Sequence, residues 1–214
     1  MYAGRVRVAF IFLVLLLVIA MAVPVTIAAR FWMDGSSVVQ QAELRGALRA
    51  TAARSALTTA ERTIAMDQFP ETWRASAIPC RTLAYLWADL SLSDSVPPAT
   101  APVSQRLATT LLSEQHGTSV RWQLRRIVVA CELERRFDDR QLLRAWLATA
   151  NFGAGDVGLE SAAQSLFHKP SRALNADEAA RLAALLRSRS LRNQPDRWAQ
   201  QAQSIQERIA ARAR

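Results

Sequence analysis

The strongest constraint on the fold of this chain is an unbroken apolar run near its N-terminus. The run covers Val8 to Ala29, 22 residues that include no charged side chain. About 20 apolar residues in a helix suffice to cross a bilayer. Because Arg5 and Arg7 precede the run, the positive-inside rule keeps the N-terminus in the cytoplasm. The sequence therefore predicts one membrane-spanning helix, with the rest of the chain on the extracytoplasmic side.

A cleavable signal peptide is the alternative interpretation of the same run. Ala20-Met21-Ala22 offers a weak small-x-small cleavage site. The run is long for the apolar core of a signal peptide, which favours an uncleaved anchor. Both interpretations export the residues from about 31 onward, and this argues against nucleic acid as a partner.

The composition of the exported part favours helix and a positive surface. Ala, Leu, Arg, Gln and Glu are plentiful, whereas the whole chain has only seven glycines. The formal charge is +9, and Lys169 is the only lysine among 27 basic residues. A chain rich in Ala and Arg is typical of a GC-rich genome; the functional alternative is attraction to anions such as lipid headgroups or pyrophosphate.

Apolar residues recur at helical spacing along most of the exported part. The pattern predicts helices over about 36–62 and 81–90 and a series of helices from residue 103 to the C-terminus, without a persuasive strand. Asp138 is predicted to cap one of these helices, and Asn175 with Glu178 has the spacing of a capping box. We divide the chain into an anchor (residues 1–30), a juxtamembrane helix (31–62) and a helical domain (63–214).

The chain has two cysteines, Cys80 and Cys131. An oxidising compartment would allow them to pair. Cys131 falls on the apolar stripe of a predicted helix, however, which favours a buried free thiol.

Two common kinds of site are not supported by the motifs that suggest them. Gly153 to Gly158 matches the G-x-G-x-x-G of dinucleotide-binding folds, but a helix rather than a strand is predicted to enter it. The two histidines, His116 and His168, are far apart, without a cysteine or carboxylate at ligand spacing. We therefore expect neither a nucleotide site nor a metal site built on them.

A colinear series of short motifs is more informative than any one of them. The series consists of Glu134 to Phe137, Leu142-Leu143, Trp146-Leu147, Asn151 to Gly153, Gly158, Ala162 to Gln164, Phe167 to Pro170, Leu174, Glu178 to Ala180 and Leu182-Ala183. It resembles the C-terminal half of glycosyltransferase family 51, the peptidoglycan glycosyltransferases, with the monofunctional biosynthetic transglycosylases most similar. The resemblance covers about residues 120–186 and extends more weakly back to about residue 65.

The resemblance implies a mainly α, lysozyme-like transglycosylase domain with one N-terminal transmembrane helix. Such a domain faces the periplasm from the bacterial inner membrane and polymerises lipid II into glycan strands. In the family, a glutamate base deprotonates the acceptor hydroxyl, and basic side chains, sometimes with a divalent metal, hold the departing pyrophosphate. No other cofactor is implied.

The sequence departs from the family where that chemistry resides. The first family motif runs Glu-Asp-x-x-Phe; with its Phe at Phe69, the base position falls on Ala65, and a one-residue deletion moves it to Met66. Asp67 is then the nearest carboxylate and the candidate for a relocated base, with Glu71 as the other acid nearby.

The candidate substrate-binding residues come from the second and third motifs. The second motif retains Gln105, has Ser104 as a conservative replacement of its threonine and is followed by Arg106, but it has lost its lysine. The third motif falls on Trp122 to Arg126; within it Arg125 and Arg126 are basic, and Arg126 replaces a glutamate. A solvated helix face is the alternative interpretation of these last two arginines.

Three functions remain open. The first is a catalytically impaired or inactive relative of the peptidoglycan glycosyltransferases, with a binding or scaffolding role in cell-wall assembly alongside lipid II, nascent glycan or other wall-synthesis proteins. The second is an active transglycosylase that uses Asp67. The third is a helical adaptor on an anionic lipid surface.

Overall fold

The described part of the structure, a computed structural model, is helical. It comprises residues 22, 26, 29–30, 32–43, 46, 48, 55–70, 80, 82, 102–112 and 119–212. Its α-helices after residue 58 are α1 (Thr59–Gln68), α2 (Val103–Leu111), α3 (Val120–Arg136), α4 (Asp139–Thr149), α5 (Leu159–Phe167), α6 (Ala176–Arg187) and α7 (Pro195–Arg212). Two short 3-10 helices, Ser171–Ala173 and Arg189–Asn193, flank α6. Within these ranges the only strand-like pairing is a bridge between Asn151 and Val157, so the mainly helical prediction is confirmed.

Reciprocal side-chain caps fix the start of three helices. The pairs are Thr58 with Glu61 at α1, Asp138 with Gln141 at α4 and Asn175 with Glu178 at α6. In each, the first side chain accepts from the backbone N–H of the second residue, whose own side chain accepts from the cap backbone. The predicted cap at Asp138 and the predicted capping box at Asn175 are both confirmed.

The N-terminal part differs from the predicted single helix over 36–62. Residues 32–43, here called the N-terminal helix, are helical, but residues 55–58 are not. Helix α1 begins after Thr58, whose hydroxyl accepts from Glu61 N at 3.2 Å. Threonine lowers helix propensity in an interior but favours a helix start, which explains the new beginning there.

Helix α6 lies at the centre of the domain. It packs against α1 and α7, while α2 packs against α3 and α4. Ala179, Leu182 and Ala183 have no exposed surface. Leu186, one turn after Leu182 and Ala183, is partly buried against the same core.

A buried ion pair joins α1 to α4. The Arg144 guanidinium donates from Nε to Glu61 Oε1 at 2.8 Å, and the two side chains are only 9% and 12% exposed. Arg144 also donates to the carbonyl oxygens of Ser55 and Ala56. These bonds fix the chain that leads into α1, because a buried guanidinium must satisfy its donors.

The glycine-rich turn at 151–158 connects two helices. Helix α4 enters it and α5 leaves it, so it lacks the preceding strand of a dinucleotide-binding turn. Gly158 has a φ of +92°, and a Cβ there would lie 3.0 Å from the carbonyl oxygen of Ala148. Only glycine allows this close return of the chain against α4.

The N-terminal helix packs closely on α3. A Cβ added at Gly35 would lie 2.5 Å from Val128 Cγ1, so the absence of a side chain at Gly35 lets the two helices approach. Eight residues further along both helices, Arg136 Nη1 donates to Glu43 Oε2 at 3.1 Å. The N-terminal helix is thereby fixed to the domain at two points.

The predicted membrane span lies almost entirely outside the described residues. Of its positions only Ala22, Thr26 and Ala29 are described, and all three are helical. The Thr26 hydroxyl donates to the Ala22 carbonyl oxygen at 2.8 Å, as the i to i−4 geometry of a helix permits. Within the part of the chain that the structure describes, no helix has the length and apolarity to cross a membrane. The span stays a prediction.

The free-thiol prediction for Cys131 is wrong. Cys80 and Cys131 form a disulfide across 51 residues of sequence, with their Cα atoms 5.2 Å apart. Cys131 is only 4% exposed. The apolar stripe therefore predicted correctly that Cys131 is buried. Burial alone does not distinguish a free thiol from a sulfur in a disulfide.

Loss of the disulfide is expected to destabilise the fold. A cross-link closing a loop of this length contributes about 4 kcal/mol by restricting the unfolded chain. The double variant Cys80→Ser/Cys131→Ser should melt at a lower temperature than the native chain under oxidising conditions. Reductant should lower the melting temperature of the native chain and leave that of the double variant unchanged. Equal melting temperatures for the oxidised native chain and the variant would contradict the assignment.

Candidate anion-binding site

An aromatic pair marks the junction of α1 and α4. Phe69, which ends α1, is 1% exposed. Its ring meets that of Trp146 edge to face, with centroids 5.0 Å apart and an interplanar angle of 89°. This favourable geometry for two rings fixes the end of α1 against α4.

Arg106 of α2 lies over both rings. Its Cζ is 5.3 Å from the Phe69 centroid and 5.9 Å from the Trp146 centroid, within cation–π range. Partial burial of the guanidinium lowers the pKa of Arg106, and the positive charge of Arg187 lowers it further. An arginine stays protonated at neutral pH even so. The site therefore contains a cation positioned by aromatic rings beside a like charge.

The carboxylate next to these residues is that of Asp67. Its side chain is 1% exposed and accepts two bonds from Arg187, from Nε to Oδ2 and from Nη2 to Oδ1, both at 2.8 Å. Arg208 Nη2 donates to Oδ1 at 3.1 Å, and Gln68 Nε2 donates to Oδ2 at 2.8 Å. Both carboxylate oxygens thus accept hydrogen bonds, which offset the desolvation free energy of the buried charge.

The local charge balance is positive. Arg187 and Arg208 bind the Asp67 carboxylate, and Arg187 also lies near enough to Arg106 to lower its pKa, so that three guanidiniums accompany one carboxylate here. Arginine suits phosphate and carboxylate groups because its planar donors bind two oxygens at once. The arrangement can therefore bind an anion near Arg106.

A divalent metal does not fit the described residues. No group of three or more His, Cys, Asp or Glu side chains among them is arranged to hold one. At the candidate site both carboxylate oxygens of Asp67 accept hydrogen bonds from arginine N–H groups. Positive charge for an anionic ligand would come from arginine here.

The base position of the family motif holds no acid in either alignment. Ala65 is buried at 1% exposure. Met66 is 37% exposed, and its carbonyl oxygen accepts from Arg212 Nη1 at 2.7 Å. Asp67 is adjacent but paired, and Glu71 lies outside the described residues.

The structure brings only part of the predicted site together. Arg106 lies over the Phe69 ring, and Asp67, two residues before Phe69, binds the Arg187 whose charge acts on Arg106. Ser104 is 1% exposed, and its hydroxyl donates to Glu134 Oε1, which places it inside the domain. Gln105 is 3% exposed, and its Nε2 has no hydrogen-bond partner among the described residues.

Arg125 and Arg126 lie in the first half of α3. The Arg126 guanidinium lies 5.4 Å from the ring centroid of Trp122, one turn earlier in the same helix. Their predicted part in substrate binding stays a prediction.

Sequence reasoning did not identify Arg187 and Arg208 as part of the site. They lie 120 and 141 residues after the aspartate that they bind. The local signal at Arg187 was only its place as the basic residue in the last turn of α6. Nothing local marked Arg208, which lies on the polar side of a regular amphipathic helix.

Comparison with known proteins identifies the family. The family model described as transglycosylase matches residues 83–214. A biosynthetic peptidoglycan transglycosylase from Shewanella frigidimarina is 38% identical over 91 residues, which cover 42% of this chain and 40% of that protein. The penicillin-binding protein 1A of Aquifex aeolicus is 36% identical over 83 residues, 39% of this chain and 11% of that protein. The chain belongs to the transglycosylase family, and the resemblance in its motifs is confirmed.

The matches cover less than half of these relatives. A further biosynthetic peptidoglycan transglycosylase, from Salmonella agona, is 46% identical over 54 residues, only 22% of its length. Family membership is therefore what these matches establish for this chain.

Replacing Asp67 is expected to loosen the junction of α1, α6 and α7. Asp67→Asn should lower the free energy of unfolding by about 2–3 kcal/mol, because two guanidiniums lose their charged partner but stay partly solvated. Asp177→Asn is the matched control, since Asp177 pairs with Arg181 at 2.8 Å with a side chain 55% exposed. It should cost less than about 1 kcal/mol. Equal losses in denaturant titrations would contradict the structural importance of the buried pair.

Proposed function

We propose that this chain is a membrane-anchored transglycosylase-family protein that binds the pyrophosphate of lipid II and polymerises it poorly or not at all. The observation that carries the proposal is the contrast at one site. A cluster of arginines is available for an anion, while the position of the family's base holds Ala65 or Met66. Binding of an anion needs only the arginines, whereas catalysis needs the arginines and a base.

The missing base sets the size of the expected defect. Transfer of a sugar to an acceptor hydroxyl requires removal of the hydroxyl proton as the bond to the pyrophosphate breaks. A positioned general base contributes about two to four orders of magnitude to such a step. Replacement of the third-motif glutamate by Arg126 removes a second acid, and the reduction in rate should be larger in consequence.

Asp67 is the second candidate for the base, in an active version of the enzyme. Against it stands the engagement of both its oxygens by Arg187, Arg208 and Gln68. An acceptor hydroxyl would have to displace one of these donors before its proton could be taken. We therefore favour a structural role for Asp67.

Arg106 is the best-placed residue for the pyrophosphate. It has rings on one side and a repelling cation nearby, so an added anion would relieve unfavourable charge. Gln105, the preceding residue, has an unpartnered buried Nε2 among the described residues. A ligand oxygen or a water could satisfy this donor.

The proposed location is the periplasmic face of the inner membrane. The apolar run from Val8 to Ala29 supplies the anchor, and the juxtamembrane residues 31–62 lead to the domain at 63–214. The Cys80–Cys131 disulfide favours an oxidising compartment. In that place a protein that holds lipid II without using it would act as a scaffold for other wall-synthesis proteins.

The first test is polymerisation of lipid II by the purified full chain in detergent. We expect the rate of glycan formation to be lower than that of an active biosynthetic transglycosylase assayed in parallel by more than the roughly two to four orders of magnitude that a missing base alone would cost. Product at a comparable rate would refute the impaired-enzyme proposal. If Asp67→Asn then abolished that product without unfolding the chain, the relocated base would be the correct account.

The second test is the binding of lipid II itself. Arg106→Gln should weaken binding by about tenfold, the effect of losing one charge-assisted contact to phosphate. Arg140→Gln is the matched control, because Arg140 is an exposed arginine in the first turn of α4. Equal affinity for lipid II and for vesicles of other anionic lipids, with a steep fall at high salt for both, would favour the simple lipid adaptor instead.

A further inference from the structure

One carboxylate, that of Glu134, joins α2 to α3. Its Oε1 atom accepts a hydrogen bond from the hydroxyl of Ser104 in the first turn of α2. The same oxygen accepts a second bond, at 2.8 Å, from the hydroxyl of Thr82. Ser104 is 1% exposed and Thr82 has no exposed surface, so each hydroxyl needs a partner inside the protein. Three segments that are distant in sequence therefore meet at Glu134.

The disulfide lies beside this contact. Cys131 precedes Glu134 by three residues in α3, and Cys80 precedes Thr82 by two residues. The covalent link therefore holds the segment of Thr82 next to the end of α3. Ser104 reaches this covalently tied pair of segments from α2, and its bond to Glu134 fixes α2 against them.

The start of α2 has no capping side chain. Its N-cap is Pro102, which makes no side-chain capping bond. Leu107 and Ala108, one turn after Ser104 on the same side of α2, are fully buried. Apolar packing of this kind is non-directional, whereas a hydrogen bond requires a definite distance and angle. The bond from Ser104 to Glu134 therefore sets the rotation of the first turn of α2 about its axis.

The rotation of α2 decides where Arg106 lies. Successive residues are about 100° apart around a helix axis. Arg106, two residues after Ser104, is therefore on the opposite side of α2, which faces the rings of Phe69 and Trp146. A rotation that broke the bond from Ser104 to Glu134 would move the guanidinium away from those rings.

The place of Glu134 in its own helix agrees with a role outside α3. Glu134 lies in the last turn of α3, where the partial negative charge of the helix end disfavours a carboxylate. Glu132, which is fully buried two residues earlier, accepts hydrogen bonds from Arg135 and Arg136 of the same helix. Glu134 accepts bonds from two other segments. Its contact with α2 therefore accounts for an acid at this position.

We propose that Glu134 is a positioning residue that acts on Arg106 through Ser104. By holding the first turn of α2, its carboxylate keeps the Arg106 guanidinium over the two aromatic rings, where an anion can bind. Glu134 does not touch the anion itself. The anion is the pyrophosphate of the proposed function, on which this inference rests.

Binding of lipid II to the full chain measures the effect of this positioning. Glu134→Leu should weaken binding by up to about tenfold, the loss expected for Arg106→Gln itself. Glu134→Gln should bind almost as the native chain does, because its amide oxygen can still accept from Ser104. In the Arg106→Gln background, Glu134→Leu should cause no further loss. Losses that add in the double variant would show an effect independent of Arg106 and overturn the proposal.

A fluorine label on Trp146 reports the position of Arg106 without any ligand. In the full chain labelled with 5-fluorotryptophan, Trp146→Phe identifies the resonance of that ring. Arg106→Gln should shift this resonance, because the guanidinium 5.9 Å from the ring centroid is lost. Glu134→Leu and Ser104→Ala should shift it in the same direction. Glu132→Gln is the matched control, a buried carboxylate whose bonds lie within α3, and it should leave the resonance and the lipid II affinity unchanged.

The two measurements separate this inference from the proposed function. A native chain that does not bind lipid II, with the resonance shifting as expected, would refute the proposed function and leave the positioning role standing. An unchanged resonance in Glu134→Leu and Ser104→Ala, or an equal shift in Glu132→Gln, would overturn the positioning role. If circular dichroism shows that Glu134→Leu does not fold, Ser104→Ala decides the question by the same two measurements.

Discussion

The bonds between Asp67 and two arginines organise the region on which the rest of this structure depends. One carboxylate at the end of α1 holds Arg187 at the end of α6 and Arg208 on α7. The backbone that follows is fixed as a result, and Phe69 is held where its ring meets Trp146. Arg106 takes its place over those rings. A single buried charge thus ties the end of α1 to α6 and α7 beside the candidate site.

The same interaction decides how the site can act. Asp67 is buried, and both of its oxygens accept hydrogen bonds from side chains that would lose a charged partner if it were removed. The surrounding arginines exceed it in number, so the site is suited to holding an anion.

Much of the fold was accessible from the sequence, and much of the site was not. Helix starts at Asp138 and Asn175 depend on side chains three residues apart, and buried faces such as that of Leu182 depend on the helical period. Both are local. The partners of Asp67, the disulfide of Cys131 and the contact of Gly35 with Val128 join residues 51 to 141 positions apart, and only the tertiary arrangement determines them. Arg106 was predicted from the order of motifs, but its ring contacts were not.

The disulfide has a geometric consequence for the site. Cys80 and Cys131 close a covalent ring of chain, and the whole of α2 lies within it. Arg106 is therefore carried on a segment tied at both ends, while the carboxylate and the other two arginines belong to parts of the chain outside the ring. Reduction of the disulfide would then change ligand affinity even under conditions where the domain stays folded. The reason is that the segment carrying Arg106 would no longer be tied at both ends beside the other charged residues.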